Sequence, residues 1–346
     1  MSRKLTRYHI KAGLLSLAVL LLTTTLGMPV DAEELKSASL RLKWLPQAQF
    51  LGYYVAKDKG WYEEEGIDLT INPGGPNIIA ENMVGSGADT FGHGGGAASL
   101  LRARAKGLPL LGIGMMFQET PYRFVALEDS GIKEFSDVKG KTVSTWFSGP
   151  QYILQGVFRR NGIPVDEVKV EAQANSMVPF LEGKVDVATV TVYNEALVLK
   201  RRGVTPGAVF NPSELGVNLP NESLIVSEQV VEDDPDLVQG FLNASLRGWA
   251  YALTHQDEAI EILLGVFPNA DETEQKEQLE QLVPLITYGE AEQKGIGYID
   301  VGQLHFTNEL LVESEVLEGP VDVPSSIVSR FWEAVPEEYK VLSKMK

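Results

Sequence analysis

The sequence contains no cysteine among its 346 residues. Disulfides, zinc sites with thiolate ligands and cysteine nucleophiles are therefore excluded, as is the lipidated amino-terminal cysteine that tethers many exported proteins. Histidine is scarce too, with four residues and no HxH or HExxH spacing that would indicate a metal site. We therefore predict neither a metal ion nor a cofactor.

Basic residues are also in short supply. Lysine and arginine number 30 against 47 aspartates and glutamates, which gives a formal net charge of −17. A chain this acidic repels phosphates, so a nucleic-acid partner is not expected. The acidic surface indicates a soluble protein, and we expect a monomer.

Long apolar runs are confined to the first part of the chain. Four basic residues precede the apolar stretch from Ala12 to Leu22, and Val30-Asp31-Ala32 offers a small-residue cleavage site. We predict that residues 1–32 are a signal peptide that is cleaved, which leaves a free, unlipidated protein in a periplasm-like space. An uncleaved anchor is the alternative, although a membrane span needs roughly 20 apolar residues.

The segment from Leu40 to Pro76 predicts a strand–helix–strand unit. Leu40, Leu42 and Trp44 alternate with two basic residues, which is the two-residue period of a half-buried strand. A loop to Phe50 and a helical run follow before the next strand. Ligands of open α/β sheets lie outside the carboxyl ends of strands, so this loop is a candidate binding element.

The same segment resembles the amino-terminal signature of solute-binding proteins of the thiamine-precursor family, which are relatives of the fungal thiamine pyrimidine synthase. The matching residues are Trp44, Pro46, Tyr54, Val55, Ala56, Lys59, Gly60, Tyr62, Glu65 and Gly66. The likeness continues, more weakly, to about Phe267. It implies the two-lobed periplasmic binding fold of type II.

Two series of alternating strands and helices follow, before and after residue 124, and the chain is almost wholly helical from Asp236. This alternation predicts an α/β protein in which each lobe is a mostly parallel sheet flanked by helices. We place one lobe at 38–123 plus 227–346 and the other at 124–222, with two hinge crossings. Asn77 is predicted to cap a helix that runs to Val84.

If two lobes close on a ligand, the strand-to-helix loops of both should contact it. Those loops supply the predicted ligand-binding residues, which are Trp44, Gln47, Gln49, Phe50, Asn77, His93, Phe117, Gln118, Trp146, Phe147, Tyr193, Asn194 and Glu195. So many aromatic side chains suit a flat heteroaromatic ligand, although each one alone is more often part of a core.

Glu195 is the most specific of these predictions. It begins a helix after an apolar strand, where its carboxylate can accept hydrogen bonds from the amine of an aminopyrimidine. The alternative is a favourable charge at a helix amino terminus. In the resembling family, a Tyr–Glu pair at this helix start contacts the pyrimidine, and Tyr193-Asn194-Glu195 is similar to that motif.

The glycine-rich segment Phe91 to Gly96 admits two interpretations. Backbone N–H groups at such a turn can hold an anion, but neither GxxxxGK[ST] nor GxGxxG is present. A tight turn that lets a ligand or the other lobe approach is the simpler interpretation. His93 within it is a possible ligand contact.

These observations favour the periplasmic binding component of an ABC importer, which would deliver a small heteroaromatic solute to a membrane permease. A thiamine pyrimidine precursor is the first ligand candidate. A flavin such as riboflavin is the alternative, because WFSGPQY and YNE are also similar to a riboflavin-binding branch. A pyrimidine synthase is the enzyme alternative, but Gly95 and Ser99 stand where that family has its cofactor lysine and histidine.

Overall fold

The computed structural model describes residues 34–147, 149–174 and 176–345. The signal peptide predicted at 1–32 lies outside these described residues. Within them, no helix combines the length and the apolar character that crossing a membrane requires.

The strands and helices follow one another in α/β order. The strands are β1 (Lys36–Arg41), β2 (Ile67–Asn72), β3 (Phe91–His93), β4 (Leu110–Phe117), β5 (Tyr122–Ala126), β6 (Thr142–Thr145), β7 (Lys169–Ala172), β8 (Val187–Thr191), β9 (Ala208–Phe210) and β10 (Asn221–Ser227). The helices are α1 (Leu51–Asp58), α2 (Trp61–Glu64), α3 (Ala80–Gly85), α4 (Ala97–Ala105), α5 (Pro150–Arg160), α6 (Val178–Leu181), α7 (Glu195–Arg201), α8 (Glu228–Asp233), α9 (Pro235–Thr254), α10 (Gln256–Val266), α11 (Glu272–Ile286), α12 (Ala291–Lys294), α13 (Val301–Glu313) and α14 (Ser329–Ala334).

The first sheet has the strand order β2-β1-β3-β10-β4. β1 pairs in parallel with β2 and β3, whereas β10 is antiparallel to β3 and β4. In β1 the buried Ala38 and Leu40 alternate with more exposed residues, and every residue of β4 is buried. β4 is therefore fully buried although it lies at the edge of the sheet, where it pairs with β10. The predicted first strand reached Trp44, but β1 ends at Arg41.

The second sheet has the order β7-β6-β8-β5-β9. β6 pairs in parallel with β7 and β8, whereas β5 is antiparallel to β8 and β9. Each sheet thus has two parallel and two antiparallel pairs, which corrects the prediction of mostly parallel sheets. β5 and β10 follow passages between sheets rather than β–α–β crossovers, so no crossover makes them parallel to their neighbours. The short β9 was not predicted.

The chain passes from the first sheet to the second through residues 118–121 and returns through residues 211–220, and we call these two segments the passages. The Asn218 side chain ties these two segments together. Its Nδ2 donates to the Gln118 carbonyl at 3.0 Å, and its Oδ1 accepts from the Thr120 N–H at 3.0 Å. The two passages are therefore hydrogen-bonded to each other.

Helix α13 packs against helices that flank both sheets. Its buried Leu304, Leu310 and Leu311 belong to an apolar cluster that includes Ala97 and Leu101 of α4 together with α5 residues such as Val157. A Cβ on Gly156 would lie 2.5 Å from Leu310 Cδ2, so a larger residue here would require the Leu310 side chain to shift.

The predicted start of the third helix needs correction. α3 begins at Ala80, and its N-cap position is Ile79, which makes no side-chain capping bond. Asn77 is exposed and lies three residues before the helix. The turn that follows Pro76 therefore extends further than the asparagine signal suggested.

Candidate functional site

An open cleft lies where the carboxyl ends of β1, β6 and β8 come together. The first-sheet side contributes Lys43, Trp44 and Gln49. The second-sheet side contributes Tyr122, Trp146, Pro150, Thr191, Tyr193, Asn194 and Glu195. The position agrees with the general rule for ligand sites in open α/β sheets.

The loop after β1 is held from both sides. The Gly74 N–H donates to the Trp44 carbonyl at 2.9 Å, and a Cβ on Gly74 would lie 2.2 Å from the Leu42 carbonyl oxygen, so this contact requires glycine. At the other end, the Ala48 N–H donates to Gln275 Oε1 at 2.7 Å. The loop therefore presents Lys43 and Trp44 in a fixed position.

A buried carboxylate lies beneath this loop. Glu222, at the start of β10, is fully buried, and its Oε1 lies 2.6 Å from Lys43 Nζ. Its Oε2 accepts from Gln49 Nε2 at 3.0 Å and lies 3.0 Å from Nδ1 of the buried His93. Glu222 thus connects the β1 loop, β3 and the return passage between the sheets.

Electrostatics keep the Lys43–Glu222 pair ionised. Burial alone would raise the pKa of Glu222, but the Lys43 and His93 side chains lower it to about 2. Burial alone would lower the pKa of Lys43, but Glu222 raises it above its ordinary value. Glu222 also has a backbone φ of 59°, in the left-handed region that costs a non-glycine residue about 1 kcal/mol or more.

The second-sheet side carries a different carboxylate. Glu195 Oε2 accepts from the Thr191 N–H at 3.0 Å and from Thr191 Oγ1 at 2.7 Å. Burial raises the pKa of Glu195, and the bonds from Thr191 offset part of that rise. Both bonds end on one oxygen, which leaves the second oxygen to accept from a ligand.

The aromatic side chains of the cleft come from both sheets. The Tyr122 and Trp146 rings lie 6.4 Å apart, centroid to centroid, at 47°. Tyr193 is almost fully buried and packs edge-on against Phe117 at 6.0 Å. With Trp44 opposite, on the first-sheet side, the arrangement can enclose a planar ring and bury its faces.

Asn194 is linked to the first-sheet side through amide side chains. Its Oδ1 accepts from Gln278 Nε2 at 2.7 Å, and Gln47 Nε2 donates to Gln49 Oε1 at 2.6 Å. Gln278 Nε2 also lies 3.4 Å from Gln47 Oε1, which connects the two pairs. Gln47 therefore supports the cleft without lining it.

The structure brings six of the predicted residues together in the cleft, namely Trp44, Gln49, Trp146, Tyr193, Asn194 and Glu195. It places the other seven elsewhere. Phe50, His93 and Phe117 are at most 1% exposed and pack behind the cleft, where Phe50 and His93 form an edge-to-face ring contact at 5.0 Å.

Gln118, Asn77 and Phe147 also lie outside the cleft lining. Gln118 Nε2 donates to the carbonyls of Met115 and Tyr298, which gives it a structural role. Asn77 is exposed, and Phe147 is 59% exposed and lines a separate groove with Arg102 and Tyr152.

Sequence reasoning missed four lining residues, which are Lys43, Tyr122, Pro150 and Thr191, and the buried Glu222 behind them. Lys43 was interpreted as a solvent-facing position of a strand. Glu222 left one signal in the sequence, because an acidic residue directly precedes the apolar run Ser223 to Val226.

Comparison with known proteins gives relatives of two kinds. A riboflavin-binding protein, RibY of Chloroflexus aurantiacus, is 31% identical over 321 residues, which cover 89% of each chain. A 4-amino-5-hydroxymethyl-2-methylpyrimidine phosphate synthase of Legionella pneumophila is 29% identical and covers 66% of this chain and 73% of its own. A formylaminopyrimidine-binding protein of Halalkalibacterium halodurans is 27% identical over 68% of this chain and 72% of its own.

Among solved structures, the periplasmic aliphatic sulphonate binding protein SsuA of Escherichia coli superimposes with a TM-score of 0.67 at 18% identity. The match covers 85% of this chain and 92% of that one, and it confirms the predicted periplasmic binding protein fold. The model of the "NMT1/THI5 like" family matches residues 47–259. The chain belongs to the NMT1/THI5-like family.

Proposed function

We propose that the protein is the solute-binding component of an ABC importer and that it binds a planar heteroaromatic solute, with a flavin as the first candidate. The observation that carries this proposal is the cleft itself, in which Trp44 and Trp146 from two sheets face the same space together with Lys43, Asn194 and Glu195. Aromatic rings stack on a planar ligand, and the polar groups fix its orientation.

Two observations favour a flavin over a smaller ring. The riboflavin-binding relative matches this chain over 89% of both lengths, more than the pyrimidine-binding relative does. Lys43 and Asn194 supply N–H donors for the carbonyl oxygens of an isoalloxazine.

An aminopyrimidine, the first candidate from the sequence, is the second candidate here. Glu195 favours it, because a carboxylate with a remaining acceptor oxygen suits an exocyclic amine. The formylaminopyrimidine-binding relative supports the same class.

Delivery to a permease requires that the site open and close. We propose that 38–123 plus 227–346 and 124–222 act as lobes that close on the solute about residues 118–121 and 211–220, and that the closed protein docks on the permease. Export to the periplasm through the predicted signal peptide belongs to the same proposal.

We propose binding without chemical conversion of the ligand. The synthase relative makes the enzyme alternative testable, but Gly95 stands at the position expected for the cofactor lysine, and its N–H donates to Glu81 Oε1 at 2.9 Å. Absorbance of a lysine–cofactor imine in the purified protein separates the two cases, because a binding protein shows none.

Titration of the purified protein with riboflavin tests the proposal. Flavin fluorescence should be quenched on binding, since stacked indole and phenol rings quench it. Trp146→Ala should weaken binding about tenfold or more by removing one stacking face. Phe147→Ala is the matched control, because Phe147 is next to Trp146 in the chain but its ring lies outside the cleft. This variant should leave the affinity unchanged.

The same titration with 4-amino-5-hydroxymethyl-2-methylpyrimidine, followed by calorimetry, distinguishes the second candidate. Tight binding of the pyrimidine with no binding of riboflavin would reverse the order of the two candidates. No binding of either compound to the wild-type protein would overturn the proposed function.

A further inference from the structure

The charge of a lysine in the cleft, Lys43, is neutralised by a buried carboxylate behind the cleft lining. Lys43 lines the cleft, and its ammonium group lies 2.6 Å from the carboxylate of the fully buried Glu222. The lining itself carries a carboxylate in Glu195, on the second-sheet side. The charged groups at the cleft therefore include one cation and two carboxylates, so the site carries no excess positive charge.

We propose that Glu222 is a positioning residue that sets the charge selectivity of the cleft: by pairing with Lys43 it makes the site accept uncharged planar solutes and reject anions. Without Glu222, the Lys43 ammonium, which lines the same cleft as Thr191 and Asn194, would attract a sulfonate or a phosphate. The inference deepens the proposed function, because it rests on this cleft being the solute site.

Three features indicate that the pairing is built into the fold. The Glu222 carboxylate is also contacted by Gln49 and His93, so both of its oxygens are engaged. The residue keeps a left-handed backbone, with φ of 59°, which would suit glycine better. The low pKa of Glu222, about 2, means that the negative charge persists at any physiological pH.

A matched ion pair on the same stretch of chain provides the control. Arg41 lies two residues before Lys43, and its Nε lies 2.7 Å from Oδ2 of Asp89, whose side chain is fully buried. This pair does not line the cleft. Asp89→Asn therefore removes the counterion of Arg41, as Glu222→Gln removes that of Lys43, without changing the charge of the solute site.

Two small probes of nearly equal shape test the charge preference. Benzenesulfonate is an anion and benzenesulfonamide is uncharged, and calorimetry measures both without a flavin. Glu222→Gln should raise the affinity for benzenesulfonate about tenfold or more and change the affinity for benzenesulfonamide less than threefold. The double variant Glu222→Gln with Lys43→Met, and the control Asp89→Asn, should show no such gain.

Circular dichroism first establishes that each variant is folded. A folded Glu222→Gln protein that gains no sulfonate binding overturns the inference, and so does an equal gain in Asp89→Asn. If Glu222→Gln does not fold, Lys43→Met supplies the opposite test, because the remaining carboxylate should lower the benzenesulfonate affinity further below that for the sulfonamide. An unchanged ratio in Lys43→Met also overturns it.

Failure of this inference is distinguishable from failure of the proposed function. Riboflavin or the aminopyrimidine still binds the wild-type protein in the first case. Neither binds in the second case.

Discussion

Each side of the cleft has a glutamate, and the surroundings of the two carboxylates shift their pKa values in opposite directions. Glu222, behind the first-sheet side, is contacted by Lys43, Gln49 and His93, and the Lys43 and His93 side chains lower its pKa. Glu195, on the second-sheet side, is bonded by Thr191, and burial raises its pKa. A carboxylate saturated by donors stabilises the fold, whereas an undersatisfied one is available to a ligand.

The largest expected difference between them is in stability. Glu222→Gln should lower the free energy of unfolding by about 3 kcal/mol, because it leaves the Lys43 ammonium without its counterion. Urea denaturation of this variant beside Glu195→Gln measures the contrast. Equal losses in the two variants would show that the two carboxylates do not differ as described.

The second difference is in the response to acid. A carboxylate whose pKa is lowered in the folded state stabilises it above the ordinary value of 4.5, and this contribution disappears as the pH falls from 4.5 towards 2. The unfolding free energy of the wild-type protein should therefore fall more steeply in this range than that of Glu222→Gln. Thermal unfolding of both proteins at several pH values tests this, and parallel curves would contradict it.

The uncharged contact that Asn218 makes between the two passages separates the effect of losing a charge from that of losing a link between chain segments. Asn218→Ala removes the two hydrogen bonds between the passages, and we expect it to cost about 1–2 kcal/mol, less than Glu222→Gln. Gln256→Ala, which removes an exposed bond of 3.4 Å from Gln256 Nε2 to the Leu253 carbonyl, is the control and should cost less than about 0.5 kcal/mol. Denaturant unfolding of both variants orders the three effects.

The smallest expected effect on stability is that of Glu195→Gln, at about 0.5 kcal/mol or less in either direction. Burial penalises the ionised carboxylate, as its raised pKa shows, so a neutral amide that still accepts from Thr191 loses little. The same variant should weaken aminopyrimidine binding more than riboflavin binding. Calorimetry with both ligands checks this, and an equal change would remove the reason for assigning Glu195 to an amine.

The sequence predicted the side of the cleft that consists of loop residues at strand ends. The rule that places ligands at carboxyl ends of strands identified Trp44, Trp146 and Glu195 without coordinates. The same rule also selected Phe50 and Phe117, because composition does not distinguish an aromatic residue that faces a cleft from one that packs one layer behind it.

Lys43 and Glu222 were beyond such reasoning for a different reason. They are 179 residues apart in the chain and meet only because β10 returns from the second sheet to pair between β3 and β4. An alternating pattern assigns Lys43 to solvent when the strand is extended past its real end at Arg41. The mixed strand directions were missed on the same grounds, since they depend on where the chain changes sheets.

Helix α13 has a consequence for how solute enters and leaves. The leucines of α13 pack on both α4 and α5. The chain segments beside the two sheets are therefore joined by an apolar helix contact as well as by the two passages. Gly156 presents no side chain to Leu310, so the Leu310 side chain packs directly against the backbone of α5. The proposed closure of the lobes would have to change this packing as well as the two passages, so substitution of Leu310, far from the solute, should change the release rate of the solute.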